Sequence, residues 1–173
     1  MQKIWIKHGL TNPTGENDEM QFLTDDLSSS DVIQLLTEHM TDMHTTSPPE
    51  SSHTLDLSGL KHPSVRFWVC RSGDKDNTLL GCVALKYLKE GHGEIKSMRT
   101  ASSQRGRGVG RYMLEQLMAF AQSAGYSEIS LETGTQPFFY PAHQLYRNFG
   151  FQDCPPFADY QPDPHSRFMH FSF

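Results

Sequence analysis

The order of apolar and polar positions along the 173-residue chain predicts alternating strands and helices. The segment "KIWIKH" at 3–8 alternates like a first strand, and the polar stretch at 11–20 predicts the connection after it. From 28 to 40, capping serines precede apolar residues at helical spacing, which predicts the first helix. A Pro/Ser-rich connection at 41–63 follows, and its length makes it a candidate substrate loop.

The middle of the chain contains three closely spaced segments rich in β-branched and aromatic residues. They occupy 64–72, 79–88 and 93–100, and turns containing Gly and Asp separate them. This succession predicts an antiparallel meander of three strands.

The C-terminal half continues with a mixture of helices and strands. Apolar residues at helical spacing predict a helix over 109–124, which a glycine ends, and period-two alternation predicts a strand at 126–134. A short helix at 142–149, a Pro-rich loop and a terminal strand at 167–173 complete the pattern. We therefore expect a single α/β domain over 1–173.

Composition narrows the class of protein. The apolar runs are too short for a membrane span and the N-terminal segment lacks the apolar core of a signal peptide, so we expect a cytoplasmic protein without membrane contact. The net charge of −5 argues against nucleic acid as a partner. Three cysteines without CxxC spacing predict buried thiols, and the spacings of the histidines fit no metal-binding motif, so we expect no metal.

Positive charge is concentrated between residues 95 and 114, a window that carries +5 although the whole chain carries −5. Two explanations stay open at this point: a bound anion, or a solvated basic helix start. The window has no acidic residue, and its basic residues are Lys96, Arg99, Arg105, Arg107 and Arg111.

A glycine-rich loop lies inside this window, directly before the predicted helix. Gly106, Gly108 and Gly110 let the chain bend so that the unpaired N–H groups of a helix start converge on an anion. A phosphate-binding P-loop requires Lys-Ser or Lys-Thr after the glycines, which this sequence lacks, and the dinucleotide fingerprint GxGxxG fails because its last position is Arg111. Both nucleotide motifs are therefore excluded.

What remains is the pattern Arg105-x-x-Gly108-x-Gly110, which matches the acyl-CoA signature (Gln/Arg)-x-x-Gly-x-(Gly/Ala). The segment "AHQLYRNFGF" at 142–151 fits a second motif, Ala-x-x-Leu-Tyr-x-x-x-Gly-Phe, in the right order and separation. With these motifs, most of the chain resembles the GNAT superfamily of N-acetyltransferases, and "GEIKSMRT", "SLETG", "PFADYQPDP" and "RFM" are similar to its bacterial YsnE-like subgroup. The resemblance implies the α/β GNAT fold, a central mixed, mostly antiparallel sheet of about six or seven strands flanked by about four helices.

The same resemblance implies acetyl-CoA as co-substrate. Its pyrophosphate is expected on the backbone amides of the glycine-rich loop, and its pantetheine arm on backbone groups of the preceding strand. The implied cofactor-binding residues are Met98, Thr100, Arg105, Gly106, Arg107, Gly108, Val109, Gly110 and Arg111.

Catalytic groups are implied as well. Tyr146 occupies the position of a tyrosine that protonates the CoA sulfur, and an ordinary tyrosine pKa of ~10 keeps that proton available at neutral pH. Glu94 is the first candidate general base, acting through water, and Glu132 is the second. The alternative for Glu94 is a charged strand residue that faces solvent or pairs with Lys96, and the alternative for Glu132 is a structural hydrogen bond. Phe139 stands where many relatives have an asparagine, so any contact of that asparagine with pantetheine is lost or replaced.

Two functions of different class follow. The first is acetyl transfer from acetyl-CoA to a primary amine of a small molecule, directly within a ternary complex; the second is a non-catalytic acyl-CoA-binding or regulatory module. The segments at 47–57 and 155–167 are expected to line the acceptor side, where Glu50, Asp159 and Tyr160 are candidates. A homodimer formed through the C-terminal strands is left open.

Overall fold

The computed structural model describes residues 9–11, 17–48, 53 and 55–173. Four α-helices lie in this part of the chain: α1 (Ser30–Thr46), α2 (Leu57–Leu60), α3 (Val109–Ser123) and α4 (Tyr140–Asn148). Eight strands join one sheet: β1 (Gly9–Thr11), β2 (Asn17–Thr24), β3 (Val65–Ser72), β4 (Leu79–Lys89), β5 (His92–Thr100), β6 (Glu128–Gly134), β7 (Gln152–Asp153) and β8 (Ser166–Ser172).

The strands follow the order β1-β2-β3-β4-β5-β6-β8-β7 across the sheet. Only β5 and β6 pair in parallel among the described strands, and every other neighbouring pair is antiparallel. Six strands have seven or more residues, whereas β1 has three and β7 two. The predicted GNAT fold with its mixed, mostly antiparallel sheet and four helices is therefore confirmed.

The N-terminal part of the sheet differs from the prediction. The predicted first strand at 3–8 lies outside the described residues. The stretch at 11–20 was expected to be a polar connection, but β2 begins at Asn17, so that prediction is wrong. Pairing with β3 explains the difference, because β2 bonds along that strand and Phe22 stacks on Trp68 with ring centroids 5.7 Å apart. Local alternation does not reveal a ladder formed with a strand so distant in sequence.

The other predicted elements are present with small shifts of their ends. The helix α1 runs beyond residue 40 into the connection at 41–63, which also contains the four-residue α2. In this extension the hydroxyls of Thr41 and Thr45 donate to carbonyls of the preceding turn at 2.9 and 3.0 Å. The candidate substrate loop is therefore shorter than the sequence suggests.

The sheet separates two hydrophobic layers, as alternate residues of β4 show. Val83 and Leu85 face α3 and α4, and we call this side the α3/α4 face. Cys82 and Ala84 face the opposite side, which α1 covers and which we call the α1 face. Two of the three predicted buried thiols, Cys70 and Cys82, are fully buried, and burial raises the pKa of each to about 12. The third, Cys154, is only partly buried.

A gap opens between the two parallel strands at the centre of the sheet. The last paired residues of β5 and β6 are Ile95 and Leu131, yet β5 continues to Thr100 and β6 to Gly134. An irregularity in β5 accompanies the divergence, since Ser97 has a φ of 50° and the register with β4 shifts opposite it. We call this gap the wedge; its sides expose backbone N–H and C=O groups that no neighbouring strand pairs.

Candidate active site

A cavity of about 700 Å³ occupies the wedge. The diverging parts of β5 and β6 form its walls, and the glycine-rich loop lines it at one end. Leu145 of α4 borders it on the α3/α4 face, whereas His39 and Met43 of α1 border it on the α1 face. A single cavity therefore connects the two faces of the sheet through the wedge.

Most of the predicted cofactor-binding residues line this cavity. The exception is Arg107, whose Nη1 donates to Gln104 Oε1 at 2.8 Å. Those that line it are Met98, Thr100, Arg105, Gly106, Gly108, Val109, Gly110 and Arg111.

The glycine-rich loop takes the conformation that its glycines allow. Gly106 and Gly108 have φ values of 74° and 83°, in the left-handed region that other residues enter at a cost of roughly 1–2 kcal/mol. Gly108 is the N-cap of α3, and no described side chain caps this helix start. The first N–H groups of α3 therefore lack partners within the helix and carry the positive end of its dipole, which together make an anion-binding site.

The third glycine of the loop serves packing. A Cβ at Gly110 would lie 3.4 Å from Leu145 Cδ2 and 3.5 Å from Thr100 Oγ1, in ordinary van der Waals contact, so this position lies between α4 and β5. Two arginines of the loop have partners of their own. The Arg105 guanidinium lies 5.9 Å from the centre of the Phe138 ring, and Arg111 Nε donates to Glu115 Oε1 at 2.9 Å.

Tyr146 and Met98, both predicted site residues, meet at the cavity wall. The Tyr146 hydroxyl lies 3.5 Å from Met98 Sδ, and its ring packs against Phe151 with centroids 5.6 Å apart. Burial raises the pKa of Tyr146 above the ordinary tyrosine value. Its hydroxyl is therefore a proton donor throughout the neutral pH range.

Glu94, the first candidate base, is buried behind two other polar groups. Its Oε1 accepts hydrogen bonds from the Tyr160 hydroxyl at 2.5 Å and from Lys96 Nζ at 3.1 Å. Lys96 Nζ also donates to the Tyr160 hydroxyl and to the His53 carbonyl, both at 2.8 Å, so its three donors all have partners. Lys96 and His53 line the cavity, whereas Glu94 and Tyr160 lie behind them.

Glu132, the second candidate base, borders the cavity directly. It lies on β6 just beyond the last residue paired with β5, and Ser166 Oγ donates to its Oε1 at 2.8 Å. Burial raises the pKa of Glu132 above the ordinary carboxylate value, outweighing the Ser166 hydrogen bond and the nearby positive groups. Of the two candidate carboxylates, Glu132 is the one that a cavity ligand can reach.

On the α1 face, the cavity has a second cationic side chain. Arg99 of β5 is buried, and its Nη1 donates to Asp42 Oδ2 of α1 at 2.6 Å. The Arg99 Nε and the Nδ1 of the buried His39 have no hydrogen-bond partner among the described residues. Burial, with Arg99 nearby, lowers the pKa of His39 to about 4, so its ring is neutral at pH 7.

The sequence places Arg99 and Lys96 in the basic window but does not predict either as an individual site residue, and it gives no indication of His39. One pattern in the sequence could have indicated this polar wall: Glu94 and Lys96 occupy alternate positions of β5 and so share one face of the strand. Arg99 joins that face only because the irregularity at Ser97 resets the alternation.

His143, on the same helix as Tyr146, links two elements. Its Nε2 lies 2.8 Å from the Gly134 carbonyl, so this nitrogen carries the proton and ties α4 to β6. Across the described residues, no three His, Cys, Asp or Glu side chains are grouped closely enough to hold a metal ion. No helix in the described part of the chain is both long and apolar enough to cross a membrane.

Comparison with known proteins identifies the family. The model of the Acetyltransferase (GNAT) family matches residues 30–151, from α1 to the end of the second motif. The chain belongs to the GNAT family. It is 47% identical over 150 residues to the uncharacterized N-acetyltransferase YsnE of Bacillus subtilis, covering 87% of this chain and 97% of YsnE. It is 49% identical over 146 residues to the uncharacterized N-acetyltransferase YedL of Escherichia coli, covering 84% of this chain and 90% of YedL.

Solved structures agree with this assignment. A Klebsiella pneumoniae structure described as an acyl-CoA N-acyltransferase superposes with a TM-score of 0.74 at 29% identity, covering 88% of this chain and 97% of that one. The PaiA N-acetyltransferase of Thermoplasma acidophilum in complex with coenzyme A has a TM-score of 0.67 at 14% identity, covering 89% and 99%. The protein is thus an acyltransferase of the GNAT family, and the predicted similarity to the YsnE-like subgroup is confirmed.

Proposed function

We propose that the protein transfers the acetyl group of acetyl-CoA directly to a primary amine of a small-molecule acceptor within a ternary complex. The observation that carries the proposal is the continuity of the cavity through the wedge. The uncapped start of α3, the Tyr146 hydroxyl and the Glu132 carboxylate all border the same space. A donor and an acceptor entering from opposite faces would meet between the acid and the base.

The residues of this chain fit acetyl-CoA as donor. The N–H groups from Gly108 to Arg111 would hold the pyrophosphate, and the open edge of β5 at Met98 and Thr100 would pair with the amides of the pantetheine arm. When bound, acetyl-CoA supplies the activated thioester. The glycine-rich loop and the wedge would hold and orient it.

Tyr146 is the proposed general acid. Its raised pKa keeps the hydroxyl protonated at neutral pH, so it can donate a hydrogen bond to the sulfur of the leaving thiolate, which would then take the proton. Its hydroxyl lies 3.5 Å from Met98 Sδ, next to the part of β5 proposed to hold the pantetheine arm.

Glu132 is the proposed general base. The amine must lose a proton before it attacks, and Glu132 is a carboxylate that lines the cavity with a pKa raised toward neutrality. Glu94 is proposed to act indirectly. It accepts hydrogen bonds from Lys96 and Tyr160 and so fixes the position of Lys96 on the α1 side of the cavity. The electrostatic field of Lys96 at the cavity wall would then depend on Glu94.

The test is release of free thiol from acetyl-CoA in the presence of a panel of small primary amines. We expect turnover with at least one amine, and Tyr146→Phe should lower kcat by roughly 10²-fold or more, because it removes the proposed acid. Tyr140→Phe is the matched control, since Tyr140 lies on the same helix with an exposed ring. CoA binding without thiol release on the whole panel would contradict the proposal and indicate a binding module.

A further inference from the structure

We propose that the acceptor carries a carboxylate as well as its amine, and that Arg99 binds this carboxylate on the α1 face of the cavity. The inference rests on the proposed function, because it names the class of acceptor for the same cavity. An α-amino acid is the simplest molecule with both groups. Three observations on described residues support it.

The first observation is a buried guanidinium, that of Arg99, with a hydrogen-bond donor that lacks an acceptor. Arg99 is only 7% exposed and lines the cavity, and a guanidinium has five N–H donors in a fixed planar arrangement. Its Nη1 donates to Asp42 Oδ2, but Nε has no partner among the described residues. A buried charged donor without a partner is costly, so a bound group that accepts a hydrogen bond from Nε would remove this cost.

The second observation is a neighbouring donor of the same kind. His39 lies one turn before Asp42 on α1, is 9% exposed and lines the cavity, and its Nδ1 also lacks a partner among the described residues. Because its ring is neutral, Nδ1 can carry a proton and donate without adding charge. Two unpartnered nitrogens on side chains that line the same cavity, a guanidinium Nε and an imidazole Nδ1 that can carry the ring proton, match the oxygens of a singly charged, planar carboxylate.

The third observation is the distribution of charge around the cavity. Lys96, Arg99 and Glu132 line it on this side, whereas the carboxylates that pair with the two cations, Glu94 and Asp42, do not. The surface that meets a ligand therefore has two cations and one carboxylate of raised pKa. This arrangement suits a molecule whose amine approaches Glu132 and whose carboxylate approaches Arg99.

The decisive measurement is binding in the presence of CoA, which does not require turnover. Probes are α-amino acids paired with their own carboxamides, which match them in size but lack the negative charge. We expect the best amino acid to bind roughly tenfold to a hundredfold more tightly than its carboxamide, the range for a charged hydrogen-bonded pair. Equal Kd values within every pair would overturn the inference.

Variants assign the preference to Arg99. Arg99→Gln should remove the preference, Arg99→Lys should retain part of it, and Asp42→Asn should strengthen it by removing the competing carboxylate. Arg66→Gln is the control, because Arg66 is exposed and lies over Phe120. If Arg99→Gln does not fold, the Arg99→Lys and Asp42→Asn results decide, and an unchanged preference in both would overturn the assignment.

The proposed function and this inference fail in different ways. Thiol release with plain amines but no preference for carboxylates would overturn the inference and leave the function standing. A carboxylate preference in binding without thiol release from any acceptor would support the inference and overturn the function.

Discussion

At the scale of single residues, the two candidate bases differ in what surrounds them. Glu94 is 2% exposed, and its Oε1 accepts hydrogen bonds from both Tyr160 and Lys96. Glu132 has a hydrogen bond from Ser166 and borders the cavity. Access to the cavity therefore favours Glu132 as the group that exchanges a proton with an acceptor, and the pKa of Glu132, raised by burial, suits a general base.

This difference gives a prediction about pH dependence. A base works only when deprotonated, so kcat/KM should fall as the pH drops through the pKa of Glu132, which lies above the ordinary carboxylate range. Glu132→Gln should lower kcat by roughly 10²–10⁴-fold and remove this acidic limb. The measurement is the pH profile of thiol release for the wild type and each variant.

Glu94→Gln is the matched comparison for that experiment. Its amide can still accept from Tyr160 and Lys96, so we expect a smaller loss of activity and an acidic limb like that of the wild type. An acidic limb that persists in Glu132→Gln but disappears in Glu94→Gln would assign the base to Glu94, as the sequence first suggested.

At the scale of elements, the glycine-rich loop and the start of α3 act as one unit. Gly106 has a φ of 74° and open space around it, so an added Cβ would meet no atom within 4 Å. Gly125, after α3, has a φ of 85° and equally open surroundings. The two positions share the same backbone demand, but only Gly106 lines the cavity.

Replacing each glycine by alanine separates folding from binding. We expect Gly106→Ala and Gly125→Ala each to lower the free energy of unfolding by roughly 1–2 kcal/mol, because alanine is strained at positive φ. Only Gly106→Ala should also weaken CoA binding, since relief of that strain moves the loop. Denaturant unfolding and CoA titration test both effects, and equal CoA affinity in the two variants would contradict an anion site at this loop.

The glycine-rich loop could be predicted from the sequence, whereas the meeting of Arg99 and His39 at the cavity could not. The residues from Arg105 to Gly110 form a local motif, and their conformation depends on their own glycines, so the pattern alone predicted a glycine-rich loop at the start of a helix. Arg99 and His39 come together only through the packing of α1 on the sheet and the irregularity at Ser97. Their contribution depends on contacts between distant segments, which periodicity in one segment does not encode.

At the scale of the whole molecule, burial of neutral histidines makes stability depend on pH. His39 has a pKa of about 4 in the folded protein, against an ordinary value of 6.5. Between these values the unfolded chain binds a proton that the folded protein does not, so the free energy of unfolding falls as the pH falls. His92 and His143 act in the same direction, because burial lowers the pKa of each.

We expect the contribution of His39 to reduce the free energy of unfolding by about 2 kcal/mol between pH 7 and pH 5. His39→Gln should remove this part of the loss, and His62→Gln, at an exposed histidine, should leave it intact. Urea unfolding at the two pH values measures the difference. An identical loss in wild type and His39→Gln would show that His39 does not titrate as its burial requires.

The wedge lowers the stability of the fold in exchange for space in which substrates can bind. Continuing the ladder beyond Ile95 and Leu131 would add backbone hydrogen bonds worth about 0.5–1.5 kcal/mol each, and the chain has the strand length to do so. Instead the facing edges of β5 and β6 stay unpaired in the interior of the molecule. Helices on both faces of the sheet shield these edges from pairing with other chains. A mutation that allowed the ends of β5 and β6 to pair would therefore make a more stable protein with no room for its substrates.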